Sequence, residues 1–441
     1  MFCSLQSMSI QKFSFTTAIA IVIANMIGTG VFTSLGFQLL DIQSTSVLMM
    51  LWLIGGVTAL CGALTYAELG TRLPRSGGEY NFLTEIYHPG AGFVSGWISA
   101  TVGFAAPTAL AAMTFGAYLE ASLPGLSSTV MASILVIALT MVHAYSRVAS
   151  GGIQTVFTII KVILVLVFVA MVAMAVESPQ PVRLLPAEGD GTLMLSSAFA
   201  VSLIYVNYAF TGWNAATYII SEVKDPQKNI PLILFVGTVT VLLLYLMLNY
   251  TFLYAAPMQA MEGKLEIGVI VARSAFGETG GMIMGVVLAT LLISTVSAMI
   301  IAGPRVLQVI GEDFRLFRFL SKKNDNDIPM VAIVVQSVVT LFFILSSTFE
   351  SVLVFSGFVM GLNTFFAVAG VFVLRFRNQG VEGYRTWGYP VTPLIFLGLM
   401  AWTLIYILIN RPEEGIAGLV IVSVGAVLYV GTERLNREPA A

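Results

Sequence analysis

The sequence predicts an all-α polytopic membrane protein, a bundle of long apolar helices. Three observations carry that prediction. Of its 441 residues, 57% are hydrophobic and 10% are charged, against about 25% charged in a soluble domain. The apolar runs Val162–Val176, Pro231–Leu253 and Gly415–Val430 are unbroken, whereas a membrane barrel needs short alternating strands. Inside a bilayer each backbone N–H and C=O must find an internal partner. Helices of about 20 residues provide that over the membrane's thickness.

Twelve spans follow from the runs, at roughly 13–36, 45–70, 92–119, 128–145, 152–176, 193–220, 231–255, 280–309, 329–347, 351–375, 391–409 and 415–431. The first run continues into a glycine motif and is read as a span, not a cleavable signal. With the N-terminus inside, sixteen Lys and Arg residues fall on inner loops and four (Arg183, Lys264, Arg273, Arg411) on outer ones. Basic residues mark cytoplasmic loops, so both termini are expected in the cytoplasm of a cell that carries the protein in its plasma or inner membrane. The net charge of −2 offers no field for nucleic acid. Cys3 and Cys61 cannot build a disulfide framework. The outer segment 177–192 holds three prolines and reads as a loop. The outer segment 256–279 holds Ile267, Val269, Ile270 and Val271 and reads as a surface helix, placed as a lid.

Span one contains Gly28-Thr29-Gly30 near its middle, and span six contains Gly212 beside Asn207, Thr211 and Asn214. Glycine weakens a helix and bares its backbone. Close helix packing would explain one such site. Two of them, each with hydroxyl or amide neighbours and five spans apart, point to paired interrupted helices. A five-helix unit repeated in tandem enters the second time from the opposite face. Residues 1–176 and 177–377 are therefore expected to form two inverted repeats, with 378–441 adding two helices and a tail. Paired breaks of this kind mark a midplane site. After Gly30 a helix starts at the midplane, and N–H groups from about Thr29 to Val31 can hold a carboxylate. Before Gly212 a helix ends, and its free carbonyls can accept from an ammonium. A zwitterion is matched at both ends without a charged side chain.

Lys161 lies in span five, nine residues past Gly152. That is roughly 14 Å along a helix, near the middle of a ~30 Å core. A lysine at that depth is usually functional, and the depth is long for snorkelling. His143, Trp52, Trp97, Trp402, Asn249 and Asn363 read as packing or interfacial residues. The charges of Glu68–Glu79 read first as ordering a cytoplasmic loop.

In four segments the chain resembles the amino acid–polyamine–organocation superfamily, and within it the L-type amino acid transporter family and its bacterial relatives. Ile27-Gly-Thr-Gly-Val-Phe32 is similar to the family's span-one signature. Tyr66-Ala-Glu-Leu-Gly-Thr-Arg-Leu-Pro-Arg-Ser-Gly-Gly-Glu-Tyr80 resembles the segment closing its span two. Phe210-Thr-Gly-Trp-Asn214 with Ser221-Glu-Val-Lys-Asp-Pro-Gln-Lys-Asn-Ile-Pro231 resembles its span six and the loop after it. Ala302-Gly-Pro-Arg305 is similar to the end of its span eight. The resemblance implies a leucine-transporter-like fold with helices 1 and 6 interrupted. It implies that Thr29 and Gly30, with Gly28 and Gly212 opening the breaks, hold the substrate carboxylate. Carbonyls near Met26 and Ile27, and at Tyr208, Ala209 and Thr211, would hold the amine. Tyr208 stands where the family has an aromatic gate, and Thr211 where many members have Gly or Ser. Lys161 is implied to stand where sodium-coupled carriers of this fold hold sodium, bridging the unwound part of span one to Ser294, Thr295 and Ser297 of span eight.

The expected function is sodium-independent transport of small neutral L-amino acids by alternating access, as an exchanger. The alternative is a proton-coupled symporter in which Lys161 titrates. An intramembrane enzyme would need a catalytic set, and His88 and His143 lack the spacing for one. A channel would show a ring of like polar residues from repeated subunits, whereas here polar residues gather at two breaks. No cofactor or metal is expected. The expected partners are a small neutral amino acid and membrane lipid. Animal members of the family link to a glycoprotein through a cysteine between spans three and four. The segment Glu120–Ser128 has none, so no disulfide-linked accessory chain is expected.

Overall fold

The computed structural model of the chain describes residues 13–145, 151–324, 328–378 and 380–437. Cys3, Lys12 and Arg147 lie outside the described residues. Span one is split into α1 (Phe15–Met26) and α2 (Gly30–Gln38). Ser14 caps α1 by accepting from the Thr17 N–H at 3.2 Å, a bond that satisfies one of the helix's free donors. Span two is α3 (Thr45–Arg72), followed by the short α4 (Glu79–Ile86). Span three is α5 (Pro89–Ile98), a π-helical turn at Ser99–Gly103 and α6 (Ala105–Ser122). Spans four and five are α7 (Ser128–Tyr145) and α8 (Gly151–Ala175). After α9 (Asp190–Met194), span six runs as α10 (Ser197–Ala209), a break, and a 3₁₀ helix over Ala215–Glu222. Then come α11 (Pro226–Ala255), α12 (Met258–Met261), α13 (Ile267–Asp313), a 3₁₀ turn Arg315–Ser321, α14 (Met330–Ser346), α15 (Phe349–Phe376), α16 (Val391–Asn410) and α17 (Pro412–Arg437).

Among the described residues, nine of these segments are long and apolar enough to cross a membrane, and Ile159–Ala175, Ser197–Ala209 and Met330–Ser346 are shorter apolar helices. Together they fall on the twelve expected spans. Three details depart from the plain reading of the runs. Span three carries its π turn between α5 and α6. The second half of span six is wound as 3₁₀, with Ile219 off helical geometry. Span eight begins as residues 267–276, with Ile267, Val269, Val271 and Ala272 buried, and turns at Gly277 (φ 73°) before its long apolar part. The expected helix in 256–279 is present as the front of α13, packed inward by its apolar residues. Beside it, the Gly263 N–H donates to the Gly36 carbonyl at 2.8 Å, over the end of α2.

Both ends of the bundle are tied by polar contacts. On the face that carries the N-terminus, Glu68 takes two bonds from Arg375 at 2.8 and 2.6 Å and one from Thr386 Oγ1 at 2.8 Å. Phe13 donates to the Glu222 carbonyl at 2.7 Å and accepts from the Lys224 N–H at 3.1 Å, joining the start of span one to the end of span six. On the opposite face, Phe37 stacks between Tyr205 (5.9 Å) and Phe349 (5.6 Å). Tyr205 Oη donates to Glu350 Oε1 at 2.7 Å, and Arg411 also pairs with Glu350. The tryptophans pack helices. Trp52 donates to Gln38 at 3.0 Å, Trp97 to the Ile421 carbonyl at 3.2 Å, and Trp402 stacks on Phe199. Asn249 donates within its own helix to the Tyr245 carbonyl.

Candidate functional site

Both breaks leave backbone groups unpaired at the same depth. In span one Ile27 leaves helical geometry, and α2 restarts at Gly30. Among the described residues, the N–H groups of Thr29, Gly30 and Val31 donate to no protein acceptor. A helix start with three free donors attracts an anion. In span six, α10 ends at Ala209, and Gly212 (φ 106°) carries the chain across. A Cβ at Gly212 would lie 2.7 Å from the Asn25 backbone, so only glycine fits the turn.

Tyr245, in mid-α11, joins the two breaks. Its hydroxyl reaches the Met26 carbonyl at 2.5 Å and the Ala209 carbonyl at 3.0 Å. The Met26 carbonyl also receives the Gly28 N–H at 2.8 Å, and the Tyr208 carbonyl receives the Thr211 N–H at 2.9 Å. The carbonyls of Ile27 and Thr211 are left without a donor among the described residues. Of the expected amine acceptors, Met26, Tyr208 and Ala209 are thus already engaged, and Ile27 and Thr211 remain open.

A cavity of about 230 Å³ opens at the breaks. Met26, Ile27, Gly28, Thr29, Gly30, Tyr208, Ala209, Thr211 and Gly212 all line it. Ser99 and Gly103 of the π turn, with Asn363 and Thr364 of α15, also line it. π-helical turns often mark functional sites, but no sequence pattern announced this one. Asn363 lines the cavity. At the mouth, Asn25 is exposed and Tyr218 is 42% exposed. Both lie on the N-terminal side of the breaks. The cavity opens toward that face, while the Phe37 stack and the Glu350 pair close the other. Tyr208 is buried at the deep end.

Lys161 is 8% exposed and shares the cavity wall with Ile27, Gly28 and Thr29. Its ammonium donates to Thr295 Oγ1 at 2.9 Å. Among the described residues it makes no hydrogen bond to span one and no ion pair. Ser294 and Ser297 are not gathered around it. Ser294 donates to the Leu291 carbonyl, and Ser297 pairs with His143 at 2.8 Å. Successive helix positions turn by 100°, so residues 294, 295 and 297 cannot all face one ammonium. Glu79 also lines the cavity, which the reading of its segment as an ordered loop did not anticipate.

The family model described as amino acid permease matches residues 13–430. The rat large neutral amino acids transporter small subunit 2 is 26% identical over 95% of this chain and 80% of its own length. The mouse b(0,+)-type amino acid transporter 1 is 24% identical over 96% of this chain and 88% of its own. The human cystine/glutamate transporter is 24% identical over 95% and 84%.

Proposed function

The chain belongs to the amino acid permease family, and from that premise we propose that it exchanges small neutral L-amino acids across a cell membrane without sodium. One observation carries the reading: two unpaired N–H groups, of Thr29 and Gly30, and two open carbonyls, at Ile27 and Thr211, border one small cavity. Its volume, about 230 Å³, is below the ~300–1,000 Å³ of drug-sized pockets. The carboxylate rests on the amides of Thr29 and Gly30, and the ammonium on the Ile27 and Thr211 carbonyls. Thr211 narrows the wall, and Tyr208 caps the substrate from the closed face. Lys161, held by Thr295, supplies a fixed positive charge beside the span-one break.

Residues 1–176 and 177–377 act as inverted repeats about this site, and both termini face the cytoplasm. With no cysteine in Glu120–Ser128, the carrier works without a disulfide-linked chain. The deciding experiment is uptake of labelled alanine into proteoliposomes in sodium-free buffer, with cold amino acids loaded inside and competitors outside. Small neutral amino acids should stimulate from inside and compete from outside. A sodium requirement, or arginine or glutamate as the preferred competitor, would overturn the reading. Uptake driven by a pH gradient into vesicles free of internal amino acid would make the protein a proton symporter instead.

A further inference from the structure

Among the described residues, two charged side chains line the cavity: Lys161 at the breaks and Glu79 on the open side. Glu79 is the first residue of α4 and is 2% exposed. Its carboxylate collects three donors. Tyr66 Oη donates to Oε1 at 2.9 Å, Asn214 Nδ2 to Oε1 at 2.5 Å, and Tyr218 Oη to Oε2 at 2.5 Å. Asn214 Nδ2 also donates to Tyr218 Oη at 3.3 Å, so the hydrogens of the cluster run toward Glu79. That pattern satisfies an acceptor-only carboxylate. None of the donors is charged, and among the described residues no ion pair reaches Glu79. Its oxygens are bonded, yet its negative charge is not neutralised by a direct partner. Asn214 lies two residues past Gly212, which places this charge beside the break in span six.

We propose that Glu79 is the charge filter of the cavity: its carboxylate excludes amino acids whose side chains are anionic. The inference rests on the reading that an amino acid sits at the breaks. A substrate anchored there extends its side chain into a cavity whose wall already holds an unpaired negative charge. Like charges at close range, poorly screened by water, disfavour each other. A hydroxyl, amide or alkyl side chain meets no such penalty. Glutamate and glutamine have nearly the same shape, so they separate charge from size.

The test compares glutamate with glutamine as competitors of labelled alanine uptake in proteoliposomes. The native carrier should be inhibited by glutamine and hardly by glutamate. In Glu79→Gln the ratio of the glutamate to the glutamine inhibition constant should fall about ten-fold or more. The ratio is read within one variant, so a slower carrier does not distort it, and Glu79→Ala gives the same readout should the glutamine variant not assemble. Tyr218→Phe removes a hydrogen bond and keeps the charge, so it should still exclude glutamate. An unchanged ratio in both Glu79 variants overturns the filter, as does glutamate entry in Tyr218→Phe. If no neutral amino acid inhibits the native carrier, the substrate reading has failed instead.

Discussion

Gly30 and Ala209 touch across the two helix breaks: a Cβ built on Gly30 would lie 2.6 Å from the Ala209 Cα. The start of α2 and the end of α10 are therefore in backbone contact, and the glycine is required by that contact. Gly28, two residues earlier, has only the Met26 carbonyl near its missing Cβ, at 3.9 Å. Gly30→Ala should lose most uptake and about 1–3 kcal/mol of stability, the usual cost of overpacking. Gly28→Ala should be mild. Thermal unfolding in detergent and alanine uptake measure both, and equal effects at the two sites would remove the packing explanation.

Tyr245→Phe removes one hydroxyl and little volume, and it takes away the contact shared by the Met26 and Ala209 carbonyls. A lost hydrogen bond of this kind costs about 0.5–1.5 kcal/mol. The variant should stay folded and exchange roughly ten-fold more slowly, because the breaks are no longer tied. Exchange at native speed would reduce the contact to packing.

Lys161→Ala should abolish most transport, and Lys161→Arg should rescue poorly, since a planar guanidinium does not replace a compact ammonium. Thr295→Val should resemble a weaker Lys161→Ala, because Thr295 holds the ammonium at 2.9 Å. Ser294→Ala should be nearly silent, as its hydroxyl serves its own helix. Parallel uptake assays separate these, and an equal loss at Ser294 would contradict the geometry.

Glu350→Gln weakens the pairing with Arg411 that helps close the face away from the cavity. The side chains are 21% and 35% exposed, so a partly exposed pair contributes about 0.2–1 kcal/mol. The population open to that face should rise by up to about five-fold. The apparent affinity for substrate on that face should improve accordingly, with the other face moving in the opposite sense. Affinities measured from each side of oriented vesicles test this.

Tyr208→Ala should cut transport more than equilibrium binding, because the enclosed state is lost while the backbone anchors remain. Equal losses in a binding titration and an uptake assay would make Tyr208 a plain wall residue.

The spans and breaks were legible because membrane burial writes itself as long apolar runs, and glycine next to Thr or Asn interrupts them. Gly28, Gly30 and Gly212 stood out for that reason. Lys161 stood out because a charge in an apolar run has no cheap explanation. Tyr245 did not, since a tyrosine among leucines in Pro226–Ala255 looks like core, and its meaning depends on two carbonyls remote in sequence. Glu79 was hidden by its neighbours: in a segment with Glu68, Arg72 and Arg75 it reads as one more loop charge. The three hydroxyls of span eight were grouped by nearness in sequence, and helical rotation separated them.

The backbone pairing of Phe13 with Glu222 and Lys224 makes the front of span one and the tail of span six a single lever. Since main-chain atoms form the joint, side chains there can change without removing its bonds, whereas a change that removes an N–H, such as proline at Lys224, would break one of the two and leave the Phe13 N–H on the Glu222 carbonyl. A displacement of either end would then pass to the other through main-chain bonds.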